Sequence, residues 1–151
     1  MANITSGLYH IQKWFPGGFQ GNVIQTSGGS DVRPVVMTPS PFIPPSWSID
    51  KKDDDAFTLK FGDGFASKVD EQNFVFTKQE GPEDAQVWEL HPVLTKDPFA
   101  YYIRSAEAGQ AWVVNGPESD QLEVKVELGD LGEVVIPEGP PDKFIFAITL
   151  A

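Results

Sequence analysis

Ser46-Trp47-Ser48-Ile49-Asp50-Lys51-Lys52-Asp53-Asp54-Asp55-Ala56-Phe57-Thr58-Leu59-Lys60 holds two short runs in which large apolar residues alternate with polar ones, on either side of three aspartates. Side chains alternate across a strand, so Trp47 with Ile49, and Phe57 with Leu59, each present one face. The acidic run between them supplies a solvated turn. The segment reads as a β-hairpin with an aromatic and aliphatic inner face.

The same pairs recur along the chain. Tyr9 with Ile11 and Tyr101 with Ile103 match Phe57 with Leu59, while Trp88 with Leu90 and Phe144 with Phe146 match Trp47 with Ile49. The Trp88 pair precedes the Tyr101 pair at a hairpin's distance. The Phe144 pair ends the chain, where the partner strand can only be the first one, near Tyr9. No window sustains helical spacing of apolar residues, whereas short alternating runs bounded by Gly, Pro, Asp and Asn are everywhere. We therefore predict an all-β chain with strands at Leu8–Gln12, Phe19–Gln25, Val32–Met37, Ser46–Asp50, Ala56–Phe61, Phe65–Val69, Asn73–Lys78, Val87–His91, Ala100–Ser105, Ala111–Asn115, Gln121–Leu128 and Lys143–Thr149.

Twelve strands in three units, roughly 7–50, 56–91 and 100–149, with hairpins joining each unit to the next and the last closing on the first, describe a single β-trefoil domain over residues 1–151. Closure around a pseudo-threefold axis leaves no free central edge, and the repeated aromatics fill the core. Trp47, Trp88, Tyr9, Phe57 and Tyr101 are thereby read as packing residues.

Length agrees, since 151 residues bury one ordinary core and not two. Eleven basic against 22 acidic residues give a net charge of −11, which repels phosphate backbones and anionic headgroups, so neither nucleic acid nor a membrane is expected as a partner. There is no cysteine, so disulfides and thiolate metal sites are excluded. The opening residues carry neither a charged n-region nor a long apolar run, so no signal peptide is expected and the default location is cytoplasmic. Fourteen Gly and thirteen Pro punctuate the strands and stiffen loops such as Pro39–Pro45 and Pro137–Pro141.

Catalytic chemistry is not visible. His10 and His91 lie inside predicted strands without a serine motif, and they do not form a pair with metal-ligand spacing. Asp53-Asp54-Asp55 lacks the alternating ligands, central glycine and closing glutamate of a calcium loop. Phe61-Gly62-Asp63-Gly64-Phe65 joins two strands and opens no helix, so it reads as a tight turn and not a phosphate cradle. The chain is expected to be no enzyme, to use no cofactor or metal, and to be a monomer.

Taken in order, Gly7-Leu8-Tyr9-His10-Ile11, Pro44-Pro45-Ser46-Trp47-Ser48-Ile49, Val87-Trp88-Glu89-Leu90, Ala100-Tyr101-Tyr102-Ile103, Ala111-Trp112-Val113-Val114 and Pro140-Pro141-Asp142-Lys143-Phe144-Ile145-Phe146 resemble the mushroom β-trefoil serine protease inhibitors of the cospin and cnispin type. That resemblance implies a fungal defence protein whose partner is a target protease, blocked by a substrate-like loop that presents a P1 side chain. A trypsin-like pocket holds a carboxylate and takes Arg or Lys. In the loop position of cospin-like members the only basic residue is Arg33, followed by Pro34. Members that use the loop before the final strand would here offer Leu131, within Gly129-Asp130-Leu131-Gly132-Glu133, which suits a chymotrypsin-like or subtilisin-like pocket. The position used by plant Kunitz inhibitors holds Lys51 and Lys52. Arg33 and Leu131 rank together, with the lysines behind them.

Two alternatives stay open. Resemblance to the mycocypins implies a wedge against papain-like cysteine proteases, built from Trp14, Phe15, Gly17 and Gly18 with Phe42 in the second loop. A carbohydrate-binding trefoil lectin would use an exposed Trp14 or Trp112 as a stacking platform, although the repeated Gln-x-Trp of ricin-type lectins occurs only once, at Gln110-Ala111-Trp112.

Overall fold

The computed structural model describes residues 4–15, 18–25, 32–38, 46–69, 73–105, 109–114, 124–132, 134 and 139–151. Its strands are β1 (Gly7–Phe15), β2 (Gly18–Gln20), β3 (Asn22–Gln25), β4 (Val32–Thr38), β5 (Trp47–Asp53), β6 (Ala56–Phe61), β7 (Gly64–Lys68), β8 (Val75–Gln79), β9 (Trp88–Pro92), β10 (Ala100–Ser105), β11 (Gln110–Val113), β12 (Val124–Lys125), β13 (Glu127–Asp130) and β14 (Phe146–Leu150). Two 3-10 turns, Pro82–Asp84 and Asp142–Phe144, complete the regular elements, so the described chain is all-β.

Six strands close into a barrel. β1 pairs β5, β5 pairs β6, β6 pairs β9, β9 pairs β10, β10 pairs β14 and β14 returns to β1, all antiparallel. The aromatics that open and close each stretch of sequence lie opposite one another in this ring: Tyr9 faces Trp47, Phe57 faces Trp88 and Tyr101 faces Phe146. Register is fixed by burial, because a slip of one residue would turn each of these rings to solvent. Of the remaining strands six form antiparallel ribbons, β3 with β4, β7 with β8, and β11 with β13, while β2 pairs β1. β4 pairs both β8 and β12, and Phe74 bridges Glu127, which draws the three ribbons together.

Two expected strands are broken, each for a local reason. Gly21 divides Phe19–Gln25 into β2 and β3. It has φ of 70°, and a Cβ there would lie 2.9 Å from Met37 Cγ and 3.0 Å from the Thr38 carbonyl oxygen, so only glycine fits. Val126 separates β12 from β13. Its N–H donates to the Val35 carbonyl at 2.9 Å and its carbonyl accepts from the Val75 N–H at 2.9 Å, which stitches the third ribbon to β4 and β8. A further correction concerns the last pair. Phe144 lies in the second 3-10 turn and packs with Ala111, Val113 and Leu131, so the final strand begins at Phe146 and its inward pair is Phe146 with Ile148.

Trp47, Trp88, Trp112 and Phe146 are fully buried at the centre. Trp47 Nε1 donates to the Val23 carbonyl at 2.7 Å and Trp88 Nε1 to the Ala66 carbonyl at 2.9 Å. Among the described residues Trp112 Nε1 finds no hydrogen-bond partner; its ring meets Trp88 and Phe146 nearly edge to face, at 5.7 and 6.0 Å between centroids.

Candidate functional site

The hairpin of β5 and β6 projects from the barrel. Asp50 through Asp55 are exposed, and the strands turn at Asp54 and Asp55, where the Asp54 N–H donates to Asp53 Oδ1 at 2.9 Å. Lys51 lies opposite Phe57 and Asp53 opposite Ala56, so Lys52 is the extra residue of a β-bulge. A bulge leaves its extra residue unpaired and re-aims its side chain. Lys52 Nζ reaches Asp50 Oδ2 at 2.9 Å, at the mouth of an open depression of about 360 Å³ lined also by Thr58, Glu83, Ala85 and Val87. Ser6 completes the group: its hydroxyl donates to Asp50 Oδ1 at 2.9 Å and accepts from the Lys51 N–H at 3.0 Å. The bonds from Lys52 and Ser6 hold the Asp50 carboxyl below its ordinary pKa.

The other sequence candidates sit less openly. Arg33 belongs to β4, half-buried and opposite Thr77 of β8, whose Oγ1 donates to the Arg33 carbonyl at 3.5 Å. It stands in a paired strand and not at a loop tip; residues 26–31, which precede it, lie outside the described part. Leu131 is only 8% exposed, with its side chain packed on Ala111, Val113 and Phe144, so the expectation of a presented leucine is corrected: hydrophobic burial has taken it into the scaffold.

The aromatic platforms are corrected in the same way. Trp14 is 6% exposed, covered by Val93, Ala100 and Ile145 with Lys96 Nζ 6.0 Å above its ring, and Trp112 is in the core. Neither ring is exposed, as the stacking platform required of both and the wedge required of Trp14. Phe15 is half-buried at the end of β1, its backbone opposite Gly18 of β2. Gly17 and Phe42 lie outside the described residues. His91 Nε2 and Arg104 Nη1 share Glu89 Oε1 at 2.8 and 2.9 Å, and the His91 ring stacks on Tyr102 at 4.9 Å, a cross-strand group on β9 and β10. Among the described residues no set of three His, Cys, Asp or Glu side chains is placed to hold a metal.

One ionisable residue escaped the sequence reading altogether. Lys13 is 3% exposed, and its Nζ donates to the carbonyls of Trp14, Asp142 and Ile145 at 2.7, 2.8 and 2.9 Å. Burial lowers its pKa to about 8, opposed by the Asp142 charge. The period-two phase of β1 could have found it, since Tyr9, Ile11 and Lys13 share the inward face. Burial likewise raises the Tyr101 and Tyr102 hydroxyls above their ordinary value.

The chain contains a match to the family model for peptidase inhibitor I66 over residues 2–150. It belongs to the peptidase inhibitor I66 family. No curated protein sequence matches it. Among solved structures it is similar to a proteinase inhibitor from Coprinopsis cinerea, with a TM-score of 0.72 and 19% identity, covering 98% of this chain and 99% of that one. It is also similar to a ricin B-like lectin from Macrolepiota procera solved with lactose, with a TM-score of 0.69 and 12% identity over 100% of both chains. A salivary protein from Culex quinquefasciatus has a TM-score of 0.67 at 15% identity, covering 99% of this chain and 96% of that one. At these identities the likeness is one of fold. As an I66 inhibitor the chain is not an enzyme, and the partner implied by its family is a peptidase. Of the candidate residues described, Lys51 and Lys52 are the ones that this I66 scaffold holds out to solvent on a hairpin.

Proposed function

We propose that this protein is a β-trefoil inhibitor of trypsin-like serine proteases that presents the β5–β6 hairpin to the enzyme, with Lys52 entering the specificity pocket. The trefoil assignment, with three repeats in one domain, is supported by the closed ring of six strands and by three ribbons meeting around β4, β8 and Val126. The observation that carries the site is the bulge: Lys52 is a basic residue without a cross-strand partner, on an exposed hairpin anchored to a rigid barrel, in a chain of a peptidase inhibitor family. A pre-shaped loop loses little conformational freedom on binding, which is what an inhibitory loop needs.

The acidic neighbours set the balance. Leaving Asp50 costs Lys52 an exposed ion pair worth about 0–1 kcal/mol, less than a desolvated carboxylate in a pocket returns. Asp53 to Asp55 oppose an acidic protease face and favour a basic one. Arg33 and Leu131 fall behind because a side chain committed to a paired strand or an apolar cluster must be extracted before it can bind. We place the protein in the cytoplasm as a monomer whose partner is a protease, away from nucleic acid and membranes given its net charge of −11, with a defensive role like that implied by its similarity to mushroom inhibitors. Titrating trypsin with the protein and with Lys52→Ala tests this: the natural chain abolishes activity at near-equimolar ratio, and the variant loses that potency by at least about a hundredfold, as expected when a buried charge pair is removed. Full potency in Lys52→Ala overturns the assignment.

A further inference from the structure

Resting on the hairpin reading above, we propose that Ser6 is a positioning residue for inhibition, a clamp that holds the unpaired edge of β5 and keeps Asp50 satisfied when Lys52 leaves for the protease.

The edge is unpaired because β1 runs out. Backbone pairing of β5 with β1 ends at Gly7 opposite Ile49, whereas β5 continues to Asp53. At the next outward-facing position the Lys51 N–H meets the Ser6 hydroxyl at 3.0 Å and not another strand. The same hydroxyl donates to Asp50 Oδ1, and the second oxygen of that carboxylate holds Lys52 Nζ. One side chain from the N-terminal segment thereby fixes the backbone before the bulge and the counter-ion of its lysine. When the lysine is withdrawn, Asp50 keeps the Ser6 bond and the Lys51 N–H keeps its acceptor, so the loop retains its shape.

This bears on how long an inhibitor survives. The protease serine oxygen attacks the Lys52 carbonyl carbon, the C–N bond to Asp53 breaks, and the Asp53 amine departs with a proton from the enzyme's histidine. Water completes hydrolysis by adding hydroxide to the acyl carbon and a proton to the serine oxygen. If the amine stays in place, it re-forms the peptide bond first. Asp53 is held opposite Ala56 on one side of the cut, and Lys51 is held opposite Phe57 and by Ser6 on the other. Removing Ser6 frees the acyl side to move.

The test compares the full chain with Ser6→Ala, Ser6→Thr and Lys52→Ala, measuring trypsin inhibition, the rate at which the Lys52–Asp53 bond is cut, and the melting temperature. We expect Ser6→Ala to weaken inhibition about tenfold and to speed cleavage by a similar factor, the effect of one hydrogen bond at a charged group, with the melting temperature unchanged and Ser6→Thr restoring both. If Lys52→Ala abolishes inhibition while Ser6→Ala leaves potency and cleavage rate unchanged, the clamp is overturned and the hairpin reading stands. If Lys52→Ala inhibits as well as the natural chain, both are overturned.

Discussion

Lys13→Met asks whether a charge is held in the barrel wall. In the natural chain burial lowers the Lys13 pKa from 10.5 to about 8, with Asp142 opposing. Each unit of difference between folded and unfolded states is worth about 1.4 kcal/mol, so the charged form is penalised by about 3 kcal/mol on folding. Below pH 8 both states carry the proton and the penalty is paid in full. Between pH 8 and 10.5 the unfolded chain binds a proton that the folded chain has released, so stability rises with pH through that window. Lys13→Met removes this penalty together with three bonds to carbonyls, of which those of Asp142 and Ile145 also accept from the backbone N–H of Ile145 and Trp14 and so stay satisfied. The net cost of Lys13→Met near pH 7 is therefore small, about 1–2 kcal/mol. The diagnostic quantity is the pH dependence. Urea unfolding of both proteins at pH 7 and pH 10 is expected to show the natural chain gaining about 2–3 kcal/mol relative to the variant. The raised Tyr101 and Tyr102 values act in the opposite sense above pH 10, but equally in both proteins, and cancel in the difference. Parallel pH profiles would refute the reasoning and show that Lys13 stays charged at no cost.

Trp47→Phe and Trp112→Phe remove the same N–H from two buried indoles, but among the described residues only Trp47 has an acceptor, the Val23 carbonyl; calorimetry should find Trp47→Phe the more destabilising by about 1–2 kcal/mol. Gly21→Ala places a methyl against Met37 and the Thr38 carbonyl at positive φ, and a loss of about 1–3 kcal/mol in urea unfolding is expected. Leu131→Asp puts a carboxylate among Ala111, Val113 and Phe144, so it should lower the melting temperature while leaving trypsin inhibition intact; loss of inhibition in a folded variant would return the site to that loop.

Much of the barrel was legible because its signal is period two. Trp47, Ile49, Phe57 and Leu59 alternate cleanly with polar neighbours, and the same alternation at Tyr9, Trp88 and Tyr101 recovers the pairing of the ring. Where a single backbone conformation decides, the pattern is silent. Gly21 interrupts an otherwise strand-like run at a positive φ that Met37 and the Thr38 carbonyl crowd, contacts that period-two alternation does not contain. Phe144 follows two prolines and enters a 3-10 turn, which displaced the expected final pair to Phe146 and Ile148. The candidate site was harder to read because exposure is a tertiary property. Trp14 and Leu131 lie where connections were expected, yet Val93, Ala100 and Ile145 cover the first, and Ala111, Val113 and Phe144 the second. Lys51 and Lys52 rank behind Arg33 and Leu131 in the sequence, because neither the bulge, set by the β5–β6 register, nor the Ser6 contact, made where β1 ends before β5 does, leaves a period-two signal.

The most direct measurement is an active-site titration of trypsin, followed by mass analysis of the bound protein. The account predicts activity falling linearly to zero near one equivalent, any slow cleavage mapping to the Lys52–Asp53 bond, and no such titration with Lys52→Ala. Trypsin that stays fully active with excess protein, or is titrated equally well by Lys52→Ala, would contradict it.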